Sequence, residues 1–477
     1  MESNREPGSP QQRRVVIVGG GMAGTRLAQQ LVVSAGVSAG VGTGPVALDV
    51  TIIGEEPHPA YNRVLLAEVL AGRYAPEVIA LPGALSAPAA GAGVRRLSGV
   101  RVVRVDRPTA EVLCDDGRRV PYDALVLATG SNPVLPPLRG LFEPDGRDLH
   151  GLPEGVHAFR TMDDCLALGA AVRPGTRAVV IGGGLLGVSA ARALAQRGAQ
   201  VVLAHQGEHL MERQLDPGAS RLLRQHMTAL GVEVHTECRV RGLRTRVAGP
   251  GGGGRAARAV RAVELADGYA LEADLVVLAC GVRPRVGLAR AAGLEVAHGI
   301  VVDDELRTSD PWVFAIGDCA EHDGVVYGLA GPAQEQADVL ARLLAPTSPL
   351  PETRGLRPLD PHRGTAPDPA PQSPEGLDFR YTGTRALTRL TLTSASDRPL
   401  DLAAFGNPTP APGDDVIHLT DATRNTYRKV VVRGDRLLGG ILLGDLGTVG
   451  ALARAWEGDE PLPATPLLHL LTNDGGS

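Results

Sequence analysis

Val15-Val16-Ile17-Val18-Gly19-Gly20-Gly21-Met22-Ala23-Gly24 and Ala178-Val179-Val180-Ile181-Gly182-Gly183-Gly184-Leu185-Leu186-Gly187 repeat one design within a single chain. Each is an apolar strand running into a glycine-rich turn that opens a helix. The first glycine of each turn (Gly19, Gly182) permits the tight bend, and the second (Gly21, Gly184) lets backbone approach a pyrophosphate. The third (Gly24, Gly187) lets the helix lie close on the sheet, with its N-terminal N–H groups aimed at the phosphates. Met22 and Ala23 fall at the start of the first helix and are counted among its contacts. One such turn is weak evidence, whereas two in strand–turn–helix context imply two dinucleotides. Val313-Phe314-Ala315-Ile316-Gly317-Asp318 adds a strand ending in Gly-Asp, suited to returning a carboxylate to a flavin ribitol. The expectation is FAD on the first turn and a nicotinamide nucleotide, NAD(P)H, on the second.

A chain of 477 residues is long enough for about three domains. A net charge of −5 gives no electrostatic case for nucleic acid or an anionic membrane. No apolar run is long enough to span a bilayer, and Arg13-Arg14 precedes a strand rather than an export signal, so a cytoplasmic protein is expected. Cys114, Cys165, Cys238, Cys280 and Cys319 are scattered without CxxC or CxxxxC spacing. That pattern speaks against a local metal or Fe–S ligand set and against a redox dithiol; reduced, packed thiols are expected. The histidines show no metal spacing either. Lys429 is the one lysine among 48 basic residues.

The fold class expected is α/β: two Rossmann-like dinucleotide-binding domains of three-layer ββα type and a small α+β C-terminal domain. Residues 1–13 are read as disordered, 14–157 and 299–345 as the two parts of the FAD domain, and 158–298 as the NAD(P) domain. Residues 346–376 are a Pro-rich linker and 377–470 the small domain. Helix Met22–Val33 is followed by Ser34–Leu48, read as a flexible insertion. It explains why Glu55 and Glu56 lie further from the glycines than the usual spacing of about 20 residues. Pro250–Gly254 reads as a hairpin or loop, Gly331–Ala345 as a helix, and Arg433-Gly434-Asp435-Arg436 as a hairpin turn.

A carboxylate after the second strand accepts hydrogen bonds from ribose hydroxyls, which favours at least one of Glu55 and Glu56 as a ligand. Arg63 suits a pyrophosphate, though an exposed surface arginine is an equal reading. Thr129-Gly130 forms a turn where backbone passes close to a ligand. At the second site His205 stands where an acid would hold an NAD ribose, and no arginine cluster follows. NADH and NADPH therefore both stay open, with a lean to NADH. Gly281 allows backbone near the nicotinamide ribose, and Cys280 beside it reads as packed.

Residues 14–345 resemble the FAD/NAD(P)-dependent pyridine nucleotide oxidoreductases that include rubredoxin and ferredoxin reductases and apoptosis-inducing factor. They are most similar to the N-terminal diaphorase part of the assimilatory NAD(P)H nitrite reductase large subunit. The runs Gly54–Pro57, Ala60–Leu66, Gly182–Gly187 and Leu210–Asp216 carry the likeness, as do Tyr427–Val431 and Leu442–Asp445 near the C-terminus. The resemblance implies FAD contacts at Glu55, Glu56, Arg63, Val102, Thr129, Gly130 and Asp318. It implies NAD(P) contacts at Gly182, Gly184, Leu185, Leu186, His205 and Gly281, and a helix after Gly331 aimed at the flavin. It also implies a lysine–glutamate pair at the flavin, but the matching positions hold Glu68 and Ser189, so that pair cannot form.

The function expected from this resemblance is an FAD-dependent NAD(P)H oxidoreductase handing electrons to a separate Fe–S or sirohaem protein, in nitrite assimilation. A rubredoxin- or ferredoxin-type reductase of another pathway is the enzyme alternative, and a nucleotide-responsive flavoprotein with an interaction role is the other. The chain ends at Ser477 without the Fe–S and sirohaem segments of the full subunit, so it is not expected to reduce nitrite by itself. No metal is expected, and a homodimer is left open.

Overall fold

The computed structural model describes residues 12–38, 47–82, 94–142, 151–250, 256–345, 379–393, 399–421, 423–444, 449–462 and 471. Among them the α-helices in chain order are α1 (Met22–Ser38), α2 (Leu66–Leu70), α3 (Met162–Ala171) and α4 (Leu185–Gln196). They continue with α5 (Pro217–Ala229), α6 (Gly287–Ala291), α7 (Ala330–Leu343) and α8 (Val449–Glu457). The chain divides into two compact units. One comprises Met1–Asn62, Ala80–Ser131 and Pro284–Thr384; the other comprises Arg63–Ile79, Asn132–Arg283 and Arg385–Ser477.

The first unit is built on a five-stranded parallel sheet in the order Val313–Ala315, Ala124–Leu127, Gln12–Val18, Ala47–Gly54, Val94–Ser98. Val15 pairs with Val50 on one side and Ala124 on the other. A parallel sheet covered on both faces needs apolar residues at every position, not alternate ones. That is why Val15–Ile17 and Ala124–Leu127 are continuous apolar runs and are buried throughout. Helices α1 and α7 pack against each other in this unit. A small antiparallel sheet of Val102–Asp106, Glu111–Cys114 and Arg119–Pro121 contributes Val102, Val112 and Val120 to the same core.

The second unit contains a parallel sheet of matching order: Val156–Ala158, Leu275–Leu278, Arg177–Ile181, Gln200–Ala204, Val232–His235. In both sheets the strand entering the glycine turn is central. Its neighbours are the strand after the following helix and a strand returning from later in the chain. The unit also holds the antiparallel hairpin Val240–Pro250 with Ala256–Leu265. Its remaining sheet is antiparallel, in the order Leu387–Leu392, Leu400–Gly406, Arg436–Gly444, Thr426–Arg433, Asp415–Asp421, with α8 packed on two of its strands. The two-residue turn Gly434-Asp435 closes the Arg433/Arg436 pair, with Gly434 at φ +60°. This is the α/β fold of two Rossmann-like sheets and a small C-terminal α+β region.

Several boundaries differ from the sequence reading. The first strand starts at Gln12, inside the stretch read as disordered, because Arg14 bonds through its backbone and side chain to Asp123. Helix α1 continues five residues past Val33 to Ser38, into the stretch read as an insertion, and the Ser34 hydroxyl bonds back to the Gln30 carbonyl. Val156–Ala158 pairs with Leu275–Leu278, and the second unit takes in Asn132–Arg283 as well as the earlier stretch Arg63–Ile79, where the sequence reading set 158–298. The chain re-enters the first unit at Pro284, where the sequence reading set 299. Residues 251–254 and the linker at 346–376 lie outside the described residues.

The third glycine of each turn is fixed by packing. A Cβ on Gly187 would collide with the Gly182 carbonyl oxygen, whereas one on Gly184 meets nothing within 4 Å. Gly187→Ala should therefore cost about 1–3 kcal/mol of stability. Gly184→Ala should leave the unfolding temperature nearly unchanged. Thermal unfolding of the two variants followed by circular dichroism checks the contrast.

Candidate functional site

The first turn assembles three segments of the first unit. Gly19 adopts φ +125°, and a Cβ there would run into the Ala128 carbonyl at the end of the neighbouring strand. Gly24 lies against the Gly19 carbonyl, while Gly21 faces open space. The Gly317-Asp318 turn is packed on the start of α1: a Cβ on Gly317 would lie 3.2 Å from Ala23 Cβ. The Gly317 N–H donates to Gln336 Oε1 of α7 at 2.7 Å, and the Ser131 hydroxyl donates to Asp318 Oδ2 at 2.9 Å. Glu56 accepts from the Tyr61 hydroxyl at 2.7 Å, and exposed Glu55 pairs with Arg285. Arg285 also donates its N–H to the Gly130 carbonyl, and its carbonyl accepts from the Thr129 hydroxyl. Gly21, the Glu55–Glu56 end, Thr129-Gly130 and Asp318 thus fall within one unit, with Val102 buried in its core. Arg285 is separated from Glu55 by 230 residues, and Gln336 lies 19 residues after Gly317; neither carries a local motif. Helix α7 begins at Ala330, and its first turn has no side-chain cap.

In the second unit Gly182 adopts φ +117° against the Ala279 carbonyl, and Gly184 caps α4 with backbone alone. Uncapped amides at a helix start suit a pyrophosphate. The peptide of Gly183 is held from both sides. Its N–H donates to His205 Nδ1 at 3.1 Å, and its carbonyl accepts from the Met211 N–H at 2.9 Å. The His205 Nε2 atom is buried and meets no partner among the described residues. Burial holds this imidazole below its ordinary pKa, against the opposing pull of Glu212. Gly281, at φ +94° with open space at its Cβ, ends the segment after Leu275–Leu278. Uncapped amides and an open face at the second glycine fit a dinucleotide on this turn.

Three of the expected residues have partners within the protein. Arg63 donates to the Arg160 carbonyl at 3.0 Å and clusters with the second unit. Ser189 bonds back to the Leu185 carbonyl at 2.8 Å. Glu68 is nevertheless ion-paired: Arg192 of α4, its side chain 1% exposed, meets its carboxylate, and Arg73 lies 3.6 Å from it. Arg192 is three residues beyond Ser189 on the same helix face, so a cation reaches the position that Ser189 leaves without charge. Further donors of Arg192 reach the Thr393 carbonyl and hydroxyl. None of the five cysteines forms a disulfide; burial pushes Cys165 and Cys280 up to about 11 and raises the others. Among the described residues no group of His, Cys, Asp and Glu is placed to hold a metal, and no helix is long and apolar enough to cross a membrane.

The run Leu210–Asp216 leads from the Gly183 peptide to a polar cluster. Asp216 caps α5 by accepting the Ala219 N–H at 3.0 Å, and it also accepts from the Tyr427 hydroxyl (2.7 Å) and Lys429 Nζ (2.9 Å). Burial raises the Asp216 pKa, but these three donors outweigh it and hold the carboxyl below its usual value. Beside the cluster lies a cavity of about 430 Å³, lined by His209, Glu212 and Arg213 opposite Asn407, Thr409 and Lys429.

Known protein families match most of the chain. The family model described as pyridine nucleotide-disulphide oxidoreductase matches residues 13–337, and the rubredoxin NAD+ reductase C-terminal domain matches 399–457. Nitrite reductase [NAD(P)H] of Bacillus subtilis is 32% identical over 446 residues, 91% of this chain and 46% of that protein. The assimilatory nitrate reductase electron transfer subunit of the same organism is 32% identical over 433 residues, 91% of this chain and 48% of that protein. The chain spans about half the length of the curated relatives it matches. Putidaredoxin reductase, solved in covalent complex with putidaredoxin, shares the fold with a TM-score of 0.72. It is 24% identical, and the match covers 98% of this chain and 99% of that one.

The C-terminal match contains both side chains that hold Asp216. Asp216→Ala removes a helix cap and leaves Lys429, 17% exposed, without its counter-ion; a loss of about 2–3 kcal/mol is expected. Because the folded-state pKa is depressed, this stabilisation is complete above the ordinary carboxyl value of about 4 and disappears as pH falls through the folded value. Urea unfolding of parent and Asp216→Ala at pH 7 and pH 3 should show the gap at pH 7 and its narrowing at pH 3.

Proposed function

Because the chain belongs to the pyridine nucleotide-disulphide oxidoreductase family, we propose that its first glycine turn takes FAD and its second takes NAD(P)H. We propose further that it passes the electrons to a separate protein acceptor. The chain is an oxidoreductase of the type that uses FAD and NAD(P)H. The acceptor we propose is an Fe–S or sirohaem protein of nitrite assimilation, acting in the cytoplasm. The observation that carries the reading is the duplicated turn. In both units two glycines are fixed by backbone contact while a third keeps an open face toward the ligand side.

Bound FAD supplies the ability to take a hydride and to give electrons up singly. The chain's residues supply the cradle. Gly21 and the first N–H groups of α1 receive one pyrophosphate, with Glu55 or Glu56 placed for the ribose and Asp318 for the ribitol. Gly184 and the amides opening α4 receive the other pyrophosphate, and Leu185, Leu186, His205 and Gly281 frame the rest of the nucleotide. The raised cysteine pKa values keep the thiols out of exchange chemistry at neutral pH. The C-terminal sheet, held to α5 through Asp216, is offered as the docking or dimerisation surface. A reductase serving a ferredoxin or rubredoxin of another pathway is the second reading, favoured by the C-terminal match at 399–457.

Two variants separate the sites. Gly21→Val fills the open face of the first turn and should yield protein without bound FAD. Gly184→Val should stay yellow and folded but resist bleaching by NADH and NADPH under anaerobic conditions. Full flavin content in the first, or parental bleaching in the second, contradicts the assignment. Adding candidate acceptors to the reduced parent distinguishes the acceptor readings, and nitrite should be consumed only with a sirohaem-bearing partner present.

A further inference from the structure

Tyr381-Thr382-Gly383-Thr384 follows the Pro-rich linker and packs back on the first unit as an irregular stretch. The Tyr381 ring is 1% exposed and sits in the core, edge-on to His322 with ring centroids 5.0 Å apart. The Tyr381 N–H donates to the Asp304 carbonyl at 2.7 Å, and the Thr384 N–H donates to the Tyr327 hydroxyl at 3.1 Å. Gly383, at φ +93°, makes room for that hydroxyl, which would stand 2.9 Å from a Cβ there.

The side chains of this stretch continue into a hydrogen-bond relay whose direction is fixed at both ends. At one end the Thr384 hydroxyl gives its only proton to Glu335 Oε2 of α7, at 2.6 Å. Thr384 can then only accept from the Tyr381 hydroxyl, 2.7 Å away, so Tyr381 is the donor of that pair. Burial raises the Tyr381 pKa, which keeps the donated proton in place. At the other end Gln336, 2% exposed, accepts the Gly317 N–H on Oε1 at 2.7 Å. Its amide nitrogen is left to donate, and the Tyr381 oxygen, hydrogen-bonded to Gln336, receives it. The relay thus runs from Gly317 through Gln336, Tyr381 and Thr384 to Glu335, each link polarising the next. One stretch grips two adjacent residues of α7, and the relay ends at the turn that carries Asp318.

We propose that Tyr381 is a positioning residue for the flavin: through Gln336 it fixes the Gly317-Asp318 turn, so that residues beyond the linker complete the FAD site. The oxygen and nitrogen of a glutamine amide are nearly equal in size, and only its hydrogen-bond partners decide which way it points. Tyr381 takes the nitrogen and thereby turns the oxygen to Gly317. Without the hydroxyl the amide is free to flip and present its NH2 group to the Gly317 N–H, which loosens a turn already held at φ +77°. The proposal rests on the assignment of FAD to the first turn.

Rebinding of FAD to the full-length apoprotein, followed by flavin fluorescence, tests this without turnover. Tyr381→Phe keeps the ring and removes the hydroxyl; FAD should bind about tenfold more weakly, the effect of one lost buried hydrogen bond. The visible circular dichroism of its bound flavin should also shift, because the turn beneath the chromophore has moved. Gln336→Leu should weaken FAD to a like extent, and the double variant should bind no worse than the weaker single one, since both act on one route. Thr384→Val removes the acceptor of the Tyr381 hydroxyl and should weaken FAD in the same direction; it decides the matter if Tyr381→Phe does not fold. Val112→Ala destabilises the same core away from the relay and should keep the parental affinity and spectrum. Parental affinity and spectrum in Tyr381→Phe or Thr384→Val, or additive losses in the double variant, would overturn the proposal. So would an equal loss in Val112→Ala, which would reduce Tyr381 to a packing residue. A parent that binds no FAD would instead overturn the assignment of the first turn.

Discussion

Close contact between the first and third glycines of each turn is the constraint on which both units are built. The Gly19 and Gly182 carbonyls occupy the space where a side chain on Gly24 or Gly187 would begin. With that space filled, α1 and α4 could not lie so close to their strands. With it empty, each helix start is drawn up to the sheet edge, and its first amides point outward without a side-chain cap on α4. The remaining glycine of each set, Gly21 or Gly184, then presents bare backbone. Packing and ligand access are thus separate demands on neighbouring positions of one short motif.

In the second unit the same turn is tied to structure far along the chain. Gly183 is gripped by His205 and Met211, and the run that supplies Met211 ends in Asp216. That carboxylate caps α5 and receives Tyr427 and Lys429 from the C-terminal sheet. Hydrogen bonds at Gly183 and Asp216, joined by the chain run Met211–Asp216, therefore tie the second glycine turn to a sheet more than two hundred residues later. Lys429 suits this junction because a compact ammonium fits beside a half-buried carboxylate where a planar guanidinium demands more room. In a chain that otherwise uses arginine, this lone lysine was a signal available in the sequence.

What the sequence disclosed and what it hid follow from the range of the interactions concerned. The strands and turns were readable because a buried parallel strand needs an unbroken apolar run, and a tight turn needs glycine at fixed offsets. Both requirements are local. Arg192, Gln336 and Arg285 act on Glu68, Gly317 and Glu55 across the fold, and no local pattern marks them. Glu68 and Ser189 alone suggested that a charge pair had been lost; only the helix in three dimensions shows Arg192 delivering a cation one turn further on. The ends of α1 and of the first strand were misjudged for a different reason. Glycine, serine and basic residues read as loop until long-range partners such as Asp123 fix them.

The account makes FAD the single redox centre of this chain, fed from one nicotinamide site. Anaerobic dithionite titration of the purified flavoprotein tests that most directly. About two electrons per bound FAD should complete the reduction, with no further uptake and no spectral change beyond flavin bleaching. Uptake of additional electrons, from a dithiol or a metal centre, would contradict it.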